Sequence, residues 1–299
     1  MSITLSLQTD IPSLTTVALP HAFERAKQLS RGNIGELINQ PSIPQCNPNA
    51  NIHTLDEYQN MNRRMEELVV DRCVCNYKCE KVLDLSSFSN LKAFEVGSHS
   101  FSYVNEVKLN ELNELERVLI GEYCFTKVMN SMIQYDPDRH FYLKNCKKLK
   151  VLKIGRWSFA DYSVIKIENV PSLEVIEMGK VNEWSYNFCF ASLQLESMPK
   201  LTTLLFGDSA FQECSRVAII DLPELTSIEL GRNAFRFKDD DDKCELIIQD
   251  LPKVETFVTT NKSQTFHLRK GIVIDNVNAP TVNLPECVNW TEFSIENSQ

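Results

Sequence analysis

The feature that most constrains this chain is a spacing. Gly97 and Gly121 stand 24 residues apart, as do Gly155 and Gly179, and Gly207 and Gly231. Four residues after most of these glycines comes a phenylalanine: Phe101, Phe125, Phe159, Phe211 and Phe235. Before each glycine stands an L-x-x-[ILVF]-x-[VILMF] segment: "LKAFEV", "LERVLI", "LKVLKI", "LEVIEM", "LTTLLF" and "LTSIEL". A second apolar alternation follows the Phe: "VKLN", "VIKIEN", "LQLES" and "VAIID". Self-similarity at a fixed period of roughly 20 to 50 residues marks a stack of like units, each burying its neighbour's apolar face.

Each unit reads as one coil. Alternation in "LEVIEM" is that of a half-buried strand. The glycine is expected to end it, because a tight turn or positive φ is easiest without a Cβ. The Phe plugs the interior, and a short second strand returns along the opposite face. "NVP", "SMP" and the two "DLP" groups, starting at Asn169, Ser197, Asp221 and Asp250, turn the chain back. Short polar side chains and proline suit such corners. Stacking pairs strands about 4.8 Å apart and lines the Phe rings into a ladder.

The L-x-x-I-x-L core, with "SAF" at 209–211 and "NAF" at 233–235 after the turn, resembles leucine-rich repeats, most closely the short Phe-containing BspA-like class. The chain departs from that class in using Gly where many members use Pro, and in its strongly alternating return strand. The resemblance spans roughly residues 65 to 285. It implies a mainly β, right-handed solenoid, with a parallel strand on the concave face and short return strands on the convex side. It names no partner.

Spacing also locates insertions. Gly121 to Gly155 is 34 residues, placing about ten extra in "VMNSMIQYDPDRH". Gly179 to Gly207 is 28, and "KVNEWSYNF" replaces the usual turn, with Trp184 or Phe188 taking the plug position. "RFKDDDDKCEL" and "TTNKSQTFHLRKG" are further expanded turns, all expected on one edge of the solenoid. Residues 1–23 form a degenerate N-terminal repeat, "IPSLTTVALPHAF" at 11–23 matching "MPKLTTLLFGDSAF". Residues 24–64 read as an irregular or helical insertion, since "AFERAKQL" and "LDEYQNMNRRMEEL" have helical spacing; one decayed coil is the alternative. Residues 65–271 hold the repeats, and 272–299 a C-terminal cap within the same continuous solenoid.

Composition limits the chemistry. A net charge of −9 at pI about 5.2 argues against nucleic acid, whose phosphates want a Lys/Arg-rich face. No apolar run approaches the roughly 20 residues of a membrane helix, and the start lacks a basic n-region, so neither membrane insertion nor a signal peptide is expected. The ten cysteines then read as thiols of a cytoplasmic protein. The five histidines occupy unrelated slots, and no H-E-x-x-H, G-x-S-x-G, P-loop or G-x-G-x-x-G occurs, so no enzyme and no cofactor is expected. "CVCNYKC" offers Cys73, Cys75 and Cys79, but structural zinc wants four ligands in C-x₂₋₄-C pairs. Core thiols are favoured over a site completed by Cys46, with Cys75 in a Phe slot. "KDDDDK" at 238–243 lacks the glycine and final Glu of a calcium loop and reads as a solvated acidic turn. The sequons at Asn261 and Asn289 carry no meaning in a cytosolic chain.

What remains is the outward face of the long strands. Three columns read off the repeat: Lys92, Glu116, Lys150, Glu174, Thr202, Thr226; then Ala93, Arg117, Val151, Val175, Thr203, Ser227; then Glu95, Leu119, Lys153, Glu177, Leu205, Glu229. Much of this is a solvated sheet with cross-strand charge pairs such as Lys153 with Glu177. Leu119, Val151, Val175 and Leu205 do not fit that description. With Arg117, Lys153, Glu177 and Glu229 they form a mixed patch suited to a protein partner. The expected function is a monomeric, non-catalytic protein–protein interaction module or scaffold. A cell-surface adhesin or recognition protein, as some BspA-like proteins are, is the alternative.

Overall fold

The computed structural model describes residues 16–19, 63–76, 81–127, 133–238, 244–260 and 272–277. In chain order the strands are β1 (Thr16–Leu19), β2 (Glu67–Val70), β3 (Val82–Asp84), β4 (Ala93–Val96), β5 (Glu106–Asn110), β6 (Arg117–Ile120), β7 (Asp136–Lys144) and β8 (Val151–Ile154). There follow β9 (Tyr162–Glu168), β10 (Val175–Met178), β11 (Leu193–Glu196), β12 (Thr203–Phe206), β13 (Arg216–Ile220), β14 (Ser227–Leu230), β15 (Glu245–Leu251), β16 (Thr256–Thr259) and β17 (Ile272–Val277). No helix occurs among the described residues.

The L-x-x-I-x-L segments end in the strands of one nine-stranded parallel sheet, ordered β1-β2-β4-β6-β8-β10-β12-β14-β16. The alternation holds: in β14, Ile228 and Leu230 are buried while Ser227 and Glu229 are half-buried. The return strands form two four-stranded sheets, β3-β5-β7-β9 and β11-β13-β15-β17. Between the long sheet and the return sheets lies a single apolar core. The fold is a parallel β-solenoid of stacked repeats, about 26 residues per turn.

The Phe ladder is continuous. Ring centroids of Phe101, Phe125, Phe159, Phe188, Phe211 and Phe235 follow one another at 5.0, 4.6, 5.0, 5.7 and 5.4 Å, all stacked. Phe188 therefore takes the plug position in the expanded coil, and Trp184 is left 43% exposed. In three coils the residue before the plug ties neighbouring coils together through its side chain. Ser100 donates to the Asp71 carbonyl, Ser158 to that of Gly121 and Asn187 to that of Gly155.

The glycines act differently from the expectation. Of the six that close long strands, only Gly179 has a positive φ, at 77°. The others are needed because successive coils touch there. A Cβ on Gly155 would lie 2.6 Å from the Gly121 carbonyl carbon, and one on Gly231 2.4 Å from the Asp208 nitrogen. The left-handed positions fall two and four residues later, as at His99 and Phe101 (φ 64° and 60°) or Tyr123 and Phe125 (55° and 53°). Holding a bulky residue there costs about 1–3 kcal/mol. Burying the ring returns about 1.5–3 kcal/mol, and each ring pair about 0.5–1.5 more. The corners after the return strands are left-handed too, at Asn145, Asn169, Ser197, Asp221 and Asp250. Asn and Asp tolerate that conformation by bonding their own backbone.

β1 pairs in parallel with β2, so the degenerate N-terminal match does supply a strand in the long sheet. "MEELVV" before Asp71, which fits the long-strand pattern, supplies β2 at Glu67–Val70, so the helical spacing of "LDEYQNMNRRMEEL" does not extend through its end. Residues 24–62 of the expected insertion, the acidic run 239–242 with Lys243, both sequons, Cys46, Cys79 and most of the cap lie outside the described residues. The insertion in the 34-residue coil lengthens β7 to nine residues and places Arg139 inside the core, 0% exposed. Its Nη1 donates to Asp161 Oδ2 at 2.6 Å, and its Nη2 to the carbonyls of Ser102 and Val104. Tyr162 donates to the same Val104 carbonyl, and burial raises its hydroxyl pKa.

Candidate functional site

Each long strand presents alternate residues to the outside, and parallel register carries those residues from coil to coil. The second and third columns are confirmed by pairing. Ala93, Arg117, Val151, Val175, Thr203 and Ser227 are successive partners, as are Glu95, Leu119, Lys153, Glu177, Leu205 and Glu229. β16 extends them with Thr256 and Val258, the latter 43% exposed.

Within this lattice the apolar members touch one another's positions. Val151 and Val175 are directly paired, Leu119 lies diagonal to Val151 on β6, and Leu205 lies diagonal to Val175 on β12. They make one ridge across four strands. Lys153 and Glu177 form the expected cross-strand ion pair beside it, at 2.9 Å. Arg117 flanks the other end, donating to Glu95 at 2.8 Å and to Glu67, two strands away, at 3.2 Å. That reach passes over Ala93, which keeps its outward place in the column but is covered and fully buried. The Glu95 hydrogen bond raises the Arg117 pKa, so the guanidinium is charged at every working pH.

A second feature was missed from sequence. Two residues after the turn glycines, and in the expanded turn, aromatic rings stack along the edge of the solenoid. His99 stacks on Tyr123 at 5.0 Å, Tyr123 on Trp157 at 5.8 Å, and Trp184 on Tyr186 at 5.5 Å. Trp157 and Tyr186 join the two halves at 4.5 Å, tilted by 43°. Arg232 lies over Trp184 at 4.8 Å. Beneath the ladder, nearly buried Glu122 pairs with Arg156 at 3.0 Å and Lys180 at 3.8 Å. Burial, with the Arg72 charge, lowers the His99 pKa to about 4. The signal for this edge was the run of ring residues in one slot, hidden because the slot holds Ser209 and Asn233 in later coils.

The buried thiols are held protonated by their surroundings. Burial pushes Cys124 and Cys189 up to about 12 and Cys146 to about 11. Cys73 and Cys75 take the same two left-handed positions as His99 and Phe101, with φ 59° and 56°. No cluster of three or more metal-ligating side chains occurs among the described residues. No described helix is long and apolar enough to cross a membrane. On the return side, an open groove of about 670 Å³ lies where β9 faces β11, with Tyr135 and Phe190 at one wall.

These features define the class: a parallel β-solenoid repeat protein with an unbroken outward sheet. Comparison with protein-family models, curated proteins and solved structures gives no match for this chain.

Proposed function

We propose that this chain is a non-catalytic interaction module of the leucine-rich-repeat type, resembling the BspA-like class, and that it binds a protein partner through the outward face of the long sheet. The observation that carries this is the ridge of Leu119, Val151, Val175 and Leu205, contiguous in register and bordered by Arg117, Lys153, Glu177 and Glu229. Solvated sheet faces need no such ridge, whereas an apolar centre with a charged rim matches interface anatomy. Cys124, Cys146, Cys189 and Cys214 are buried and form no disulfide, which suits a reducing, cytoplasmic setting.

The test is affinity capture from source-cell extract with three baits: the parent chain, Leu205→Asp, and a Lys153→Glu/Glu177→Lys swap. The ridge reading expects a partner retained by the parent, lost from Leu205→Asp, and retained by the swap, which preserves the ion pair. Unchanged capture by Leu205→Asp removes this face as the binding site. Capture only from the cell exterior favours the adhesin alternative.

A further inference from the structure

The long sheet runs through every coil, but the return side does not. β9 and β11 belong to consecutive coils, yet they meet at one bridge, Val164 with Ser192, and then part. The corner hydrogen bonds show the same break. Glu111 donates its N–H to the Lys144 carbonyl, Asn145 to Glu168, Ser197 to Ile220, and Asp221 to Gln249. Asn169, in the same corner position, makes no such backbone bond; only its side chain is tied, to Asn145.

Strand geometry says which groups are stranded. Glu168 accepts from Asn145 on the β7 side, and polar groups alternate sides along a strand. The C=O of Ile165, the N–H and C=O of Ile167 and the Asn169 N–H therefore point into the seam, beyond the Ile165 N–H and Ser163 C=O that the Val164–Ser192 bridge engages. Among the described residues these groups form an unused sheet edge, a ready template for a further strand. The groove there, about 670 Å³, falls within the range of ligand clefts, roughly 300–1,000 Å³. Its floor is apolar, formed by Ile165, Ile167 and Leu193.

We infer that this seam docks an extended peptide segment of a partner protein, added as a strand to the open edge of β9. The charges orient it. Lys238 stands at the end where the strands begin, and exposed Glu168 and Glu196 stand where they finish. In the parallel sense of all neighbouring strands, the peptide carries acidic residues at its N terminus, alternating apolar residues centrally, and basic residues at its C terminus. Main-chain hydrogen bonds supply the affinity in such strand addition, and the side-chain positions supply the selectivity.

The probe is a fluorescein-labelled peptide of alternating valine and threonine, with two glutamates leading and two lysines trailing, titrated into the full chain. Controls are the same peptide with proline at the central threonines, which lacks the donors a strand needs, and the charge-reversed peptide. Saturable binding is expected, with at least tenfold weaker binding of both controls. Hydrogen exchange should show new protection at Ile167 and Asn169. A Lys238→Glu/Glu196→Lys chain, altered only at exposed positions, should prefer the charge-reversed peptide. Leu205→Asp should leave all of this unchanged, which separates the seam from the long-sheet face. Equal binding of the proline control, protection confined to other strands, or no binding overturns the assignment.

Discussion

Gly155→Ala separates two explanations of the glycine column. Gly155 does not have a positive φ, so its local backbone accepts alanine without strain. If conformation were the whole story, alanine would stabilise the chain by about 0.4–1 kcal/mol, because it restricts the unfolded state. The packing predicts the opposite sign. The added Cβ would sit 2.6 Å from both the carbonyl carbon and the oxygen of Gly121, and 2.7 Å from the Glu122 nitrogen. All three are backbone atoms, so no side chain can swing aside. The coils must separate locally, stretching the Gly155 N–H bond to the Ile120 carbonyl, now 2.7 Å. The chain itself shows the size of such a step: Thr260 fills the glycine slot after β16 and bonds Leu230 at a longer 3.0 Å. Forcing a methyl into a packed interior costs about 1–3 kcal/mol. Subtracting the entropic gain leaves a net loss of about 1–2 kcal/mol. Urea unfolding followed by circular dichroism measures it, with Gly179→Ala as a companion that adds φ strain to a different clash, against the Ser185 and Asn187 side chains. A Gly155→Ala chain as stable as the parent, or more so, refutes the coil-contact account.

Three further outcomes follow from the same packing. Phe159→Ala, removing the ring between Phe125 and Phe188, should cost about 3–5 kcal/mol, whereas Tyr135→Ala, 58% exposed, should stay within about 0.5 kcal/mol. Arg139→Met strands the Asp161 carboxylate in the core and should cost about 3–5 kcal/mol; Arg139→Met with Asp161→Leu should recover part of it, and equal losses in both would mean the charge is not what matters. His99 titrates near 4 when folded against an ordinary 6.5, so the unfolded chain takes up its proton first as pH falls. Its contribution is whole above pH 6.5 and is lost toward pH 4; melting temperatures should fall less across that window in His99→Gln than in the parent.

Much of the architecture could be read before any coordinates. The L-x-x-I-x-L run placed each long strand, because a half-buried strand writes its two faces as alternate residues. The corner residues Asn169, Ser197, Asp221 and Asp250 announced the corners through their side-chain chemistry, and the structure makes each of them left-handed. The outward columns were legible because a parallel stack with constant period keeps register. Where the period changed, reading stopped. Phe188 and Trp184 were equivalent candidates for the plug until the ladder seated one and exposed the other. Arg139 read as part of a polar insertion, since nothing in "DPDRH" shows that displaced backbone would leave the Ser102 and Val104 carbonyls needing a donor.

The sequence by itself determined the coil: which residues face in, where the chain turns, and that coils must stack to bury their apolar faces. Those are local properties, written into every repeat. Tertiary structure decided how each coil sits on the next. It turned the glycines from hinges into contact points and aligned His99, Tyr123, Trp157 and Tyr186 along one edge. It also split the return strands into two sheets at the β9–β11 seam. The offset between neighbouring coils depends on the packing of both, and no single repeat encodes it.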